Sequence, residues 1–393
     1  MNEQLSRKDL INATLLSFKI TTYDFEEIQG AAVTLYKFRP QLGVRVSKIR
    51  GLKDELAAVL GVSSVRIIAP LADGSVGIEV PNKQKPILPL SEILCSPEYL
   101  TSDMVLPLAI GRTVTNDIFM ADLADMPHLL VAGATGQGKS VGLNVMLMSL
   151  LHKKTPEELK LVLIDPKKVE LSAYEAIARP YITRMEGLPA VITEAEHAQI
   201  MLDALCRLME KRYSLLKEAG ARNIKEYNAI NGKPMEYYVI VIDEYGDLVM
   251  QSSREMERLI CRLAQKARAV GMHLIISTQR PSATIVTGNI KANFPTRIAF
   301  RTTTGTDSRV ILDQVGAEKL TGCGDLLYLS GAEITRAQCA YVSTKEVIRR
   351  CNDIAKNHDD WRPKILRVLK DDGRDTLRKI FEKYKLNDSY RFW

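Results

Sequence analysis

From residue 133 the chain reads Gly133-Ala134-Thr135-Gly136-Gln137-Gly138-Lys139-Ser140, which matches the pattern GxxxxGK[ST] at every fixed position. An apolar run, His128–Ala132, precedes this octapeptide, and an amphipathic run follows it. The order of strand, glycine-rich loop and helix is the context in which the pattern binds phosphates. Backbone N–H groups of the loop and of the helix N-terminus then point at the anion, and glycine lets the backbone come close. We therefore predict that Gly133–Val141 cradles the phosphates of a nucleotide, with Lys139 on the β- and γ-phosphates and Ser140 on Mg²⁺.

A second apolar run ends in two carboxylates. Tyr237–Ile242 is followed directly by Asp243 and Glu244. Asp243 suits the coordination of Mg²⁺, and Glu244 can polarise an attacking water as a general base. The alternative is a solvated pair of acids that caps a strand. With the glycine-rich loop upstream, the sequence predicts a site that binds ATP and Mg²⁺ and hydrolyses the ATP.

A third apolar run ends in polar residues. His273–Ser277 is followed by Thr278 and Gln279, and Pro281 comes soon after. In a doubly wound sheet this strand ends beside the phosphate loop, which would place Thr278 or Gln279 near the γ-phosphate as a sensor. The alternative is a strand that ends in a plain turn at Pro281.

Strand and helix patterns alternate from about Leu106, which predicts an α/β fold with a mainly parallel sheet covered by helices. A small α/β unit precedes this region. We divide the chain into an N-terminal extension (residues 1–32), the small α/β unit (33–105), the ATPase unit (106–343) and a basic helical tail (344–393). In the tail, Arg374–Tyr384 is a helix pattern with an apolar stripe that we expect to pack on the ATPase unit.

The composition is that of a folded globular protein with two or three domains. The chain has 393 residues, of which 46% are hydrophobic and 26% charged. These values exclude a mainly disordered chain and a small disulfide scaffold. The formal net charge of +7 permits a polyanionic partner without requiring one. The six cysteines show no paired spacing, and no signal peptide or membrane span is apparent, so we expect a cytoplasmic protein without membrane contact of its own.

Several further motifs occur in one order along the chain. They are Met126–Gly133, Ile164–Lys167, Val241–Leu248, Leu263–Leu274, Ser277–Ser282, Ile290–Phe300 and Asp307–Gln314. In these motifs the chain resembles the FtsK/SpoIIIE DNA translocases, from about Val33 to Val342. The resemblance implies a RecA-like P-loop fold for the ATPase unit. The tail does not resemble the winged-helix domain that follows the ATPase unit in some members.

The resemblance also implies partners and further site residues. It predicts a homohexameric ring that encircles double-stranded DNA and moves along it with the energy of ATP. Arg268 would be the arginine finger that reaches a neighbour's γ-phosphate, with Arg297 and Arg309 as the other candidates. Alternatively, Arg268 is a surface arginine on a helix that is paired in the neighbourhood of Glu255 or Glu257. The residues expected to contact DNA phosphates are Arg280 and Lys291.

Other functions within the same superfamily remain open at this point. A protein-secretion ATPase usually carries several ATPase units behind a membrane segment, and a conjugative coupling ATPase usually carries membrane helices. A ring that serves only as a DNA-binding scaffold would not need Lys139, Ser140, Asp243 and Glu244 together. The sequence therefore favours a double-stranded DNA translocase. It leaves open whether the DNA is moved in chromosome partition, in transfer of a mobile element or in phage packaging.

Overall fold

The computed structural model describes residues 5–71, 73–84, 86–251, 254–358 and 365–366. They form two units, which we call the small domain (residues 5–82) and the large domain (residues 86–358). A short segment with two prolines, Pro86 and Pro89, joins them. The predicted helix Arg374–Tyr384 lies outside the described residues.

The small domain is a four-stranded antiparallel sheet with helices against it. Its elements are α1 (Arg7–Ser17), β1 (Thr22–Gln29), β2 (Val33–Pro40), α2 (Val46–Gly51), α3 (Lys53–Leu60), β3 (Arg66–Ile68) and β4 (Val76–Pro81). The strand order is β1-β2-β4-β3. Its own core includes Ile11 and Leu15 of α1, Phe38 of β2 and Ile78 of β4, all buried. The small domain is therefore a separate packing unit.

The large domain is built on a ten-stranded sheet. Its strands are β5 (Pro107–Thr113), β6 (Ile118–Asp122), β7 (His128–Ala132), β8 (Leu159–Ile164), β10 (Val191–Ile192), β11 (Tyr237–Ile242), β12 (Met272–Thr278), β13 (Thr296–Phe300), β14 (Asp325–Ser330) and β15 (Glu333–Cys339). Two further short strands, β9 (Arg184–Met185) and β16 (Ile365–Leu366), pair separately.

Helices cover both faces of this sheet. They are α4 (Leu90–Leu94), α5 (Pro97–Leu100), α6 (Lys139–Lys153), α7 (Ala195–Glu218), α8 (Ile224–Ile230), α9 (Tyr245–Gln251), α10 (Arg254–Lys266), α11 (Gly288–Asn293), α12 (Gly305–Leu312) and α13 (Thr344–Asn357). One core includes side chains of α6 and the other side chains of α7 and α10, on opposite faces of the same strands. Burial on both faces explains why the central strands are continuous apolar runs.

The strand order places the candidate residues together. It runs β10-β8-β11-β12-β7-β13-β14-β15-β5-β6, with the first six strands parallel and the remaining pairs antiparallel. The strand β12 lies between β7 and β11, so the residues that follow these three strands meet at one edge of the sheet. Ligands of open α/β sheets bind at this carboxyl edge. The fold is the RecA-like P-loop fold.

The structure differs from the sequence analysis near the N-terminus. Residues 7–29, set apart above as an extension, form α1 and β1 of the small domain, and β1 pairs with β2 along its length. The division at residue 33 therefore falls inside a sheet, because β1 and β2 are the two arms of one hairpin. In the tail, the described parts are α13, whose Val347 and Cys351 are buried in the core of the large domain, and the short strand β16. Among the described residues, no helix has the length and apolar character needed to cross a membrane.

Candidate nucleotide-binding site

The phosphate loop, Gly133–Ser140, connects the end of β7 to the start of α6. Gly136 and Gly138 have φ values of +75° and +118°, which side-chain-bearing residues rarely adopt. A Cβ atom on Gly138 would also lie 2.8 Å from Cα of Gly324. In the part of the chain that the structure describes, no side chain caps the N-terminus of α6 at Gly138. Its first backbone N–H groups are therefore available to an anion, and their contact with nucleotide phosphates stays a prediction.

Lys139 is buried in a small polar cluster at the base of the loop. Its ammonium group donates hydrogen bonds to Oδ1 of Asp243 and, over 3.0 Å, to the hydroxyl of Ser277. The Ser277 hydroxyl donates to the same Asp243 oxygen at 2.7 Å. The other carboxylate oxygen, Oδ2 of Asp243, is buried and has no hydrogen-bond partner within the described residues. A buried carboxylate oxygen without a donor is costly, and a metal-bound water would satisfy it.

Ser140 faces a carboxylate that the sequence analysis did not single out. Its hydroxyl donates to Oε1 of Glu170 at 2.5 Å. Glu170 is held in place by Asp165, whose buried carboxylate accepts backbone N–H groups from Lys167, Val169, Glu170 and Leu171 at 3.0–3.1 Å. The Asp-Pro-Lys motif after β8 was the available signal, because an aspartate at a strand end often caps the turn that follows.

Glu244 is completely buried and has an unusual backbone conformation. Its φ of +55° lies in the left-handed region, which costs a non-glycine residue about 1–3 kcal/mol. Its carboxylate accepts a hydrogen bond from the Thr278 hydroxyl at 2.8 Å and from the Gln279 N–H at 3.1 Å. Lys167 donates to the other oxygen at 2.9 Å. The candidate general base is thus fixed by three donors from two neighbouring strand ends.

Lys167 has no assigned role in the sequence analysis, although the structure places it against the candidate base. Burial by itself lowers the pKa of Lys167, but the Glu244 carboxylate, with Asp247 nearby, raises it above its ordinary value. The side chain is therefore an ammonium ion at neutral pH. Its bond to Glu244 occupies an oxygen that a general base needs for the attacking water.

Gln279 lies between the phosphate loop and Glu244. Its side-chain oxygen accepts a hydrogen bond from the Thr135 hydroxyl at 2.8 Å, while its backbone N–H bonds to Glu244. The structure thus brings Gln279 to the phosphate loop. Its role as a γ-phosphate sensor stays a prediction.

A cavity of about 480 Å³ opens beside the phosphate loop. Its walls are the loop itself, residues 86–88 of the connecting segment and residues 338–341 at the end of β15 and just beyond it. Ile87 and Tyr341 are exposed at 70% and 45%, and Cys339 is buried. This size and this mixture of apolar walls with a polar base are usual for a small-molecule site.

The three candidate arginine fingers differ in their surroundings. Arg297 is buried and bonded to Asp313 and to the Phe294, Ile311 and Lys291 carbonyls, so it holds the fold of its own chain. Arg309 is exposed on α12, and Arg268 is exposed just before β12.

Arg268 lies at the edge of the sheet opposite the phosphate loop. The seven residues of β12 separate the two edges by about 20 Å. Arg268 forms no ion pair within the described residues, while Arg258 pairs with Glu255 and Thr287 donates to Glu257. Because the two edges are about 20 Å apart, the Arg268 side chain cannot reach a nucleotide bound to its own chain.

The two candidate DNA contacts lie near each other in sequence but differ in pairing. Arg280, which directly follows Gln279, is exposed. Lys291 lies on α11 and pairs with Asp313 at 2.7 Å, where Arg297 also binds. Their role in DNA binding stays a prediction.

Fold and site together define a RecA-like P-loop protein. Residues 89–283 match the model of the FtsK/SpoIIIE family, and residues 1–82 match that of the FtsK alpha domain. The chain belongs to the FtsK/SpoIIIE family.

Named relatives agree with this membership. The DNA translocase FtsK of Chlorobaculum tepidum is 43% identical over 349 residues, which cover 86% of this chain and 43% of that protein. The DNA translocase FtsK of Caldanaerobacter subterraneus is 41% identical over 375 residues, covering 94% of this chain and 52% of that protein. The chain thus spans about half the length of these relatives.

Solved structures of other proteins have a fold similar to that of this chain. The conjugation coupling protein TcpA of pCW3, solved with ATPγS, has a TM-score of 0.62 and 26% identity, covering 89% of this chain and 99% of that one. The cytoplasmic domain of the type VII secretion ATPase EccC of Thermomonospora curvata has a TM-score of 0.57 and 23% identity. It covers 68% of this chain and 34% of that one, and at this identity the likeness concerns the fold alone.

Proposed function

We propose that this chain is an ATP-driven motor that assembles into a homohexameric ring and moves along double-stranded DNA. The observation that carries the proposal is the buried cluster of Lys139, Asp243 and Ser277, with Glu244 beside it at the same edge of the sheet. Membership of the FtsK/SpoIIIE family supports DNA as the substrate, because the relatives are named DNA translocases.

In this proposal ATP binds across the phosphate loop. Its phosphates take the backbone N–H groups at the start of α6, and the Lys139 ammonium exchanges Asp243 for the β- and γ-phosphates. The cavity walls around Ile87 and Tyr341 would contact the nucleoside. The TcpA structure solved with ATPγS supports a nucleotide in this fold.

The residues present fit a magnesium ion, which neutralises charge on the phosphate oxygens when bound. Mg²⁺ takes oxygen ligands and usually keeps several waters. The Ser140 hydroxyl would be a direct ligand, and the unpartnered Oδ2 of Asp243 would hold a ligand water. Glu170, which already accepts from Ser140, would orient that hydroxyl.

Hydrolysis requires two changes from the arrangement described above. Glu244 must exchange one of its present donors for the attacking water, whose proton it then accepts. Arg268 of a neighbouring subunit would reach the γ-phosphate, which explains an exposed arginine about 20 Å from its own phosphate loop. The ring makes each site depend on two subunits.

DNA would contact the ring through non-specific phosphate contacts from Arg280 and Lys291. In a DNA-bound state Lys291 would leave Asp313, to which it pairs here. We place the protein in the cytoplasm, which fits its six free thiols.

A protein-secretion or conjugative coupling ATPase is the second candidate. The likeness to TcpA over 99% of that chain favours the coupling variant of this alternative. A DNA translocase and a conjugative coupling ATPase should both hydrolyse ATP faster in the presence of DNA. An ATPase that secretes a polypeptide should not.

The test is steady-state ATPase activity with and without linear duplex DNA of increasing length. Glu244→Gln serves as the catalytic control, because it removes the base and keeps the size of the side chain. We expect strong stimulation that grows with DNA length, since DNA ends terminate each productive run. Hydrolysis that duplex DNA leaves unchanged in assembled rings would contradict the proposal and favour a polypeptide substrate.

A further inference from the structure

The loop Thr321–Gly324, which precedes β14, has an exceptional backbone. Gly322, Cys323 and Gly324 have φ values of +77°, +53° and +88°, so three consecutive residues are left-handed. For Cys323, which carries a side chain, this conformation is unfavourable and needs support from its surroundings.

This loop lies directly against the phosphate loop. The Gly324 N–H donates to the carbonyl of Gln137 at 3.1 Å. A Cβ atom added at Gly322 would lie 2.5 Å from the side-chain oxygen of Gln137, and one added at Gly138 would lie 2.9 Å from the Gly324 nitrogen. With so little space between them, the two loops cannot move independently.

The carboxylate of Asp325 holds the strained loop in place. It accepts hydrogen bonds from the backbone N–H and the hydroxyl of Thr321, at 2.7 and 2.8 Å. Arg336 on β15 in turn holds Asp325, with its Nε 3.0 Å from Oδ1 and its Nη2 2.7 Å from Oδ2. This two-point contact fixes the plane of the carboxylate as well as its position.

Arg336 also reaches out of the large domain. Its remaining Nη1 donates to Glu79 on β4 of the small domain, and both side chains are buried. Burial by itself lowers the pKa of Arg336, but the carboxylates of Asp325 and Glu79 raise it above its ordinary value. Arg66, opposite Glu79 on β3, donates to the same carboxylate at 3.2 Å without contacting Asp325.

Ion pairs of this kind are a poor way to gain stability, because the cost of desolvating the charges offsets most of their attraction. What they supply is a fixed geometry, since the planar guanidinium has donors in set directions. Here that geometry joins two domains to the loop that abuts the nucleotide site.

We propose that Glu79, Arg336 and Asp325 form a relay through which the small domain positions the phosphate loop. Arg336 is a positioning residue: it acts on the nucleotide through Asp325, the Thr321–Gly324 loop and Gln137. Because coupling between sites is reciprocal, nucleotide binding must also tighten the contact that Arg336 makes with the small domain. The relay rests on the nucleotide site proposed above.

The test compares Arg336→Lys with Arg66→Lys in the full chain. Both variants replace a guanidinium on Glu79 with a point charge, but only the first also loses the two-point contact with Asp325. The readouts are the affinity for a fluorescent ATP analogue and amide hydrogen exchange with and without Mg²⁺-ATPγS. We expect about tenfold weaker nucleotide binding in Arg336→Lys, a size usual for coupled sites, and no change in Arg66→Lys.

Hydrogen exchange adds a readout that loss of stability alone does not reproduce. In the wild type, the nucleotide should slow exchange at residues 133–141 and 321–325 and also at residues 76–81 of the small domain. In Arg336→Lys the effect at 76–81 should disappear, while Arg66→Lys should keep it. Should Arg336→Lys fail to fold, Glu79→Gln, which keeps the size and an acceptor oxygen, is judged by the same criteria.

Three outcomes overturn the relay, in two different ways. Protection at 133–141 without protection at 76–81, or equal effects of the two lysine variants, refutes the relay and leaves the nucleotide site intact. Absence of protection at 133–141 in the wild type refutes the nucleotide site itself, and the relay with it.

Discussion

Replacing Lys139 by alanine should destabilise the nucleotide-free protein strongly, in addition to abolishing its activity. The Lys139 side chain is 3% exposed and Asp243 is fully buried, and their charges are paired. Without the ammonium group, Asp243 keeps the Ser277 hydroxyl as its one donor within the described residues. Removing one partner of a buried pair typically costs about 3–5 kcal/mol, because the other charge stays buried without compensation.

The size of this effect can be measured by thermal unfolding without nucleotide. For a domain of this class about 1 kcal/mol corresponds to about 2–4 °C, so Lys139→Ala should lower Tm by about 6–20 °C. Asp243→Asn alone should also destabilise, since it leaves an ammonium ion without its carboxylate. The double variant Lys139→Ala/Asp243→Asn should recover about 2 kcal/mol relative to the sum of the single changes, because no lone charge remains.

A matched control is available on the surface. Lys154 pairs with Glu158 at 3.2 Å in a partly exposed pair four residues apart, so Lys154→Ala should cost less than about 1 kcal/mol. A wild-type Tm for Lys139→Ala, or strictly additive losses in the double variant, would refute the conclusion that Asp243 holds Lys139 in the nucleotide-free state. The same experiment shows whether loss of ATPase activity in a Lys139 variant reflects lost phosphate contacts or lost folding.

Three other perturbations test the general base, the contact between subunits and the buried histidines of the sheet. Glu244→Gln should still bind ATP in an equilibrium titration yet hydrolyse it at least about 100-fold more slowly, as expected for loss of a general base; hydrolysis at the wild-type rate would move that role elsewhere. Mixing Arg268→Ala with Lys139→Ala subunits should restore part of the turnover that neither variant has alone, and no gain on mixing would exclude action between subunits. Burial lowers the pKa of His128 to about 3 and of His273 to about 4. The unfolded chain therefore binds protons below about pH 6.5 that the folded chain does not, so Tm should fall between about pH 7 and pH 5, and less so in His273→Asn; an equal fall in this variant would contradict the assignment.

The central strands could be predicted from sequence because their environment leaves a clear pattern. The strands β7 (His128–Ala132) and β11 (Tyr237–Ile242) have the predicted bounds, and β12 extends one residue beyond the predicted run at each end. Buried on both faces, such strands are unbroken apolar runs. By contrast, β1 (Thr22–Gln29) has no fully buried residue and carries three acidic residues at the edge of its sheet. It lacks the pattern of a strand, so the N-terminal part of the small domain could not be recognised from sequence.

The same reasoning explains which site residues the sequence could not reveal. Lys139 follows a glycine-rich loop, and Asp243 and Glu244 follow an apolar strand. The neighbouring sequence therefore indicates the role of each residue. Glu79 and Arg336 are 257 positions apart, and each stands in a strand where a charged residue would ordinarily face water. Because the pairing of their charges exists only once the two domains are packed together, neither residue alone carries a signal. Burying either charge without a partner would cost too much free energy. The tertiary structure therefore both compensates the two charges and creates the contact between the domains.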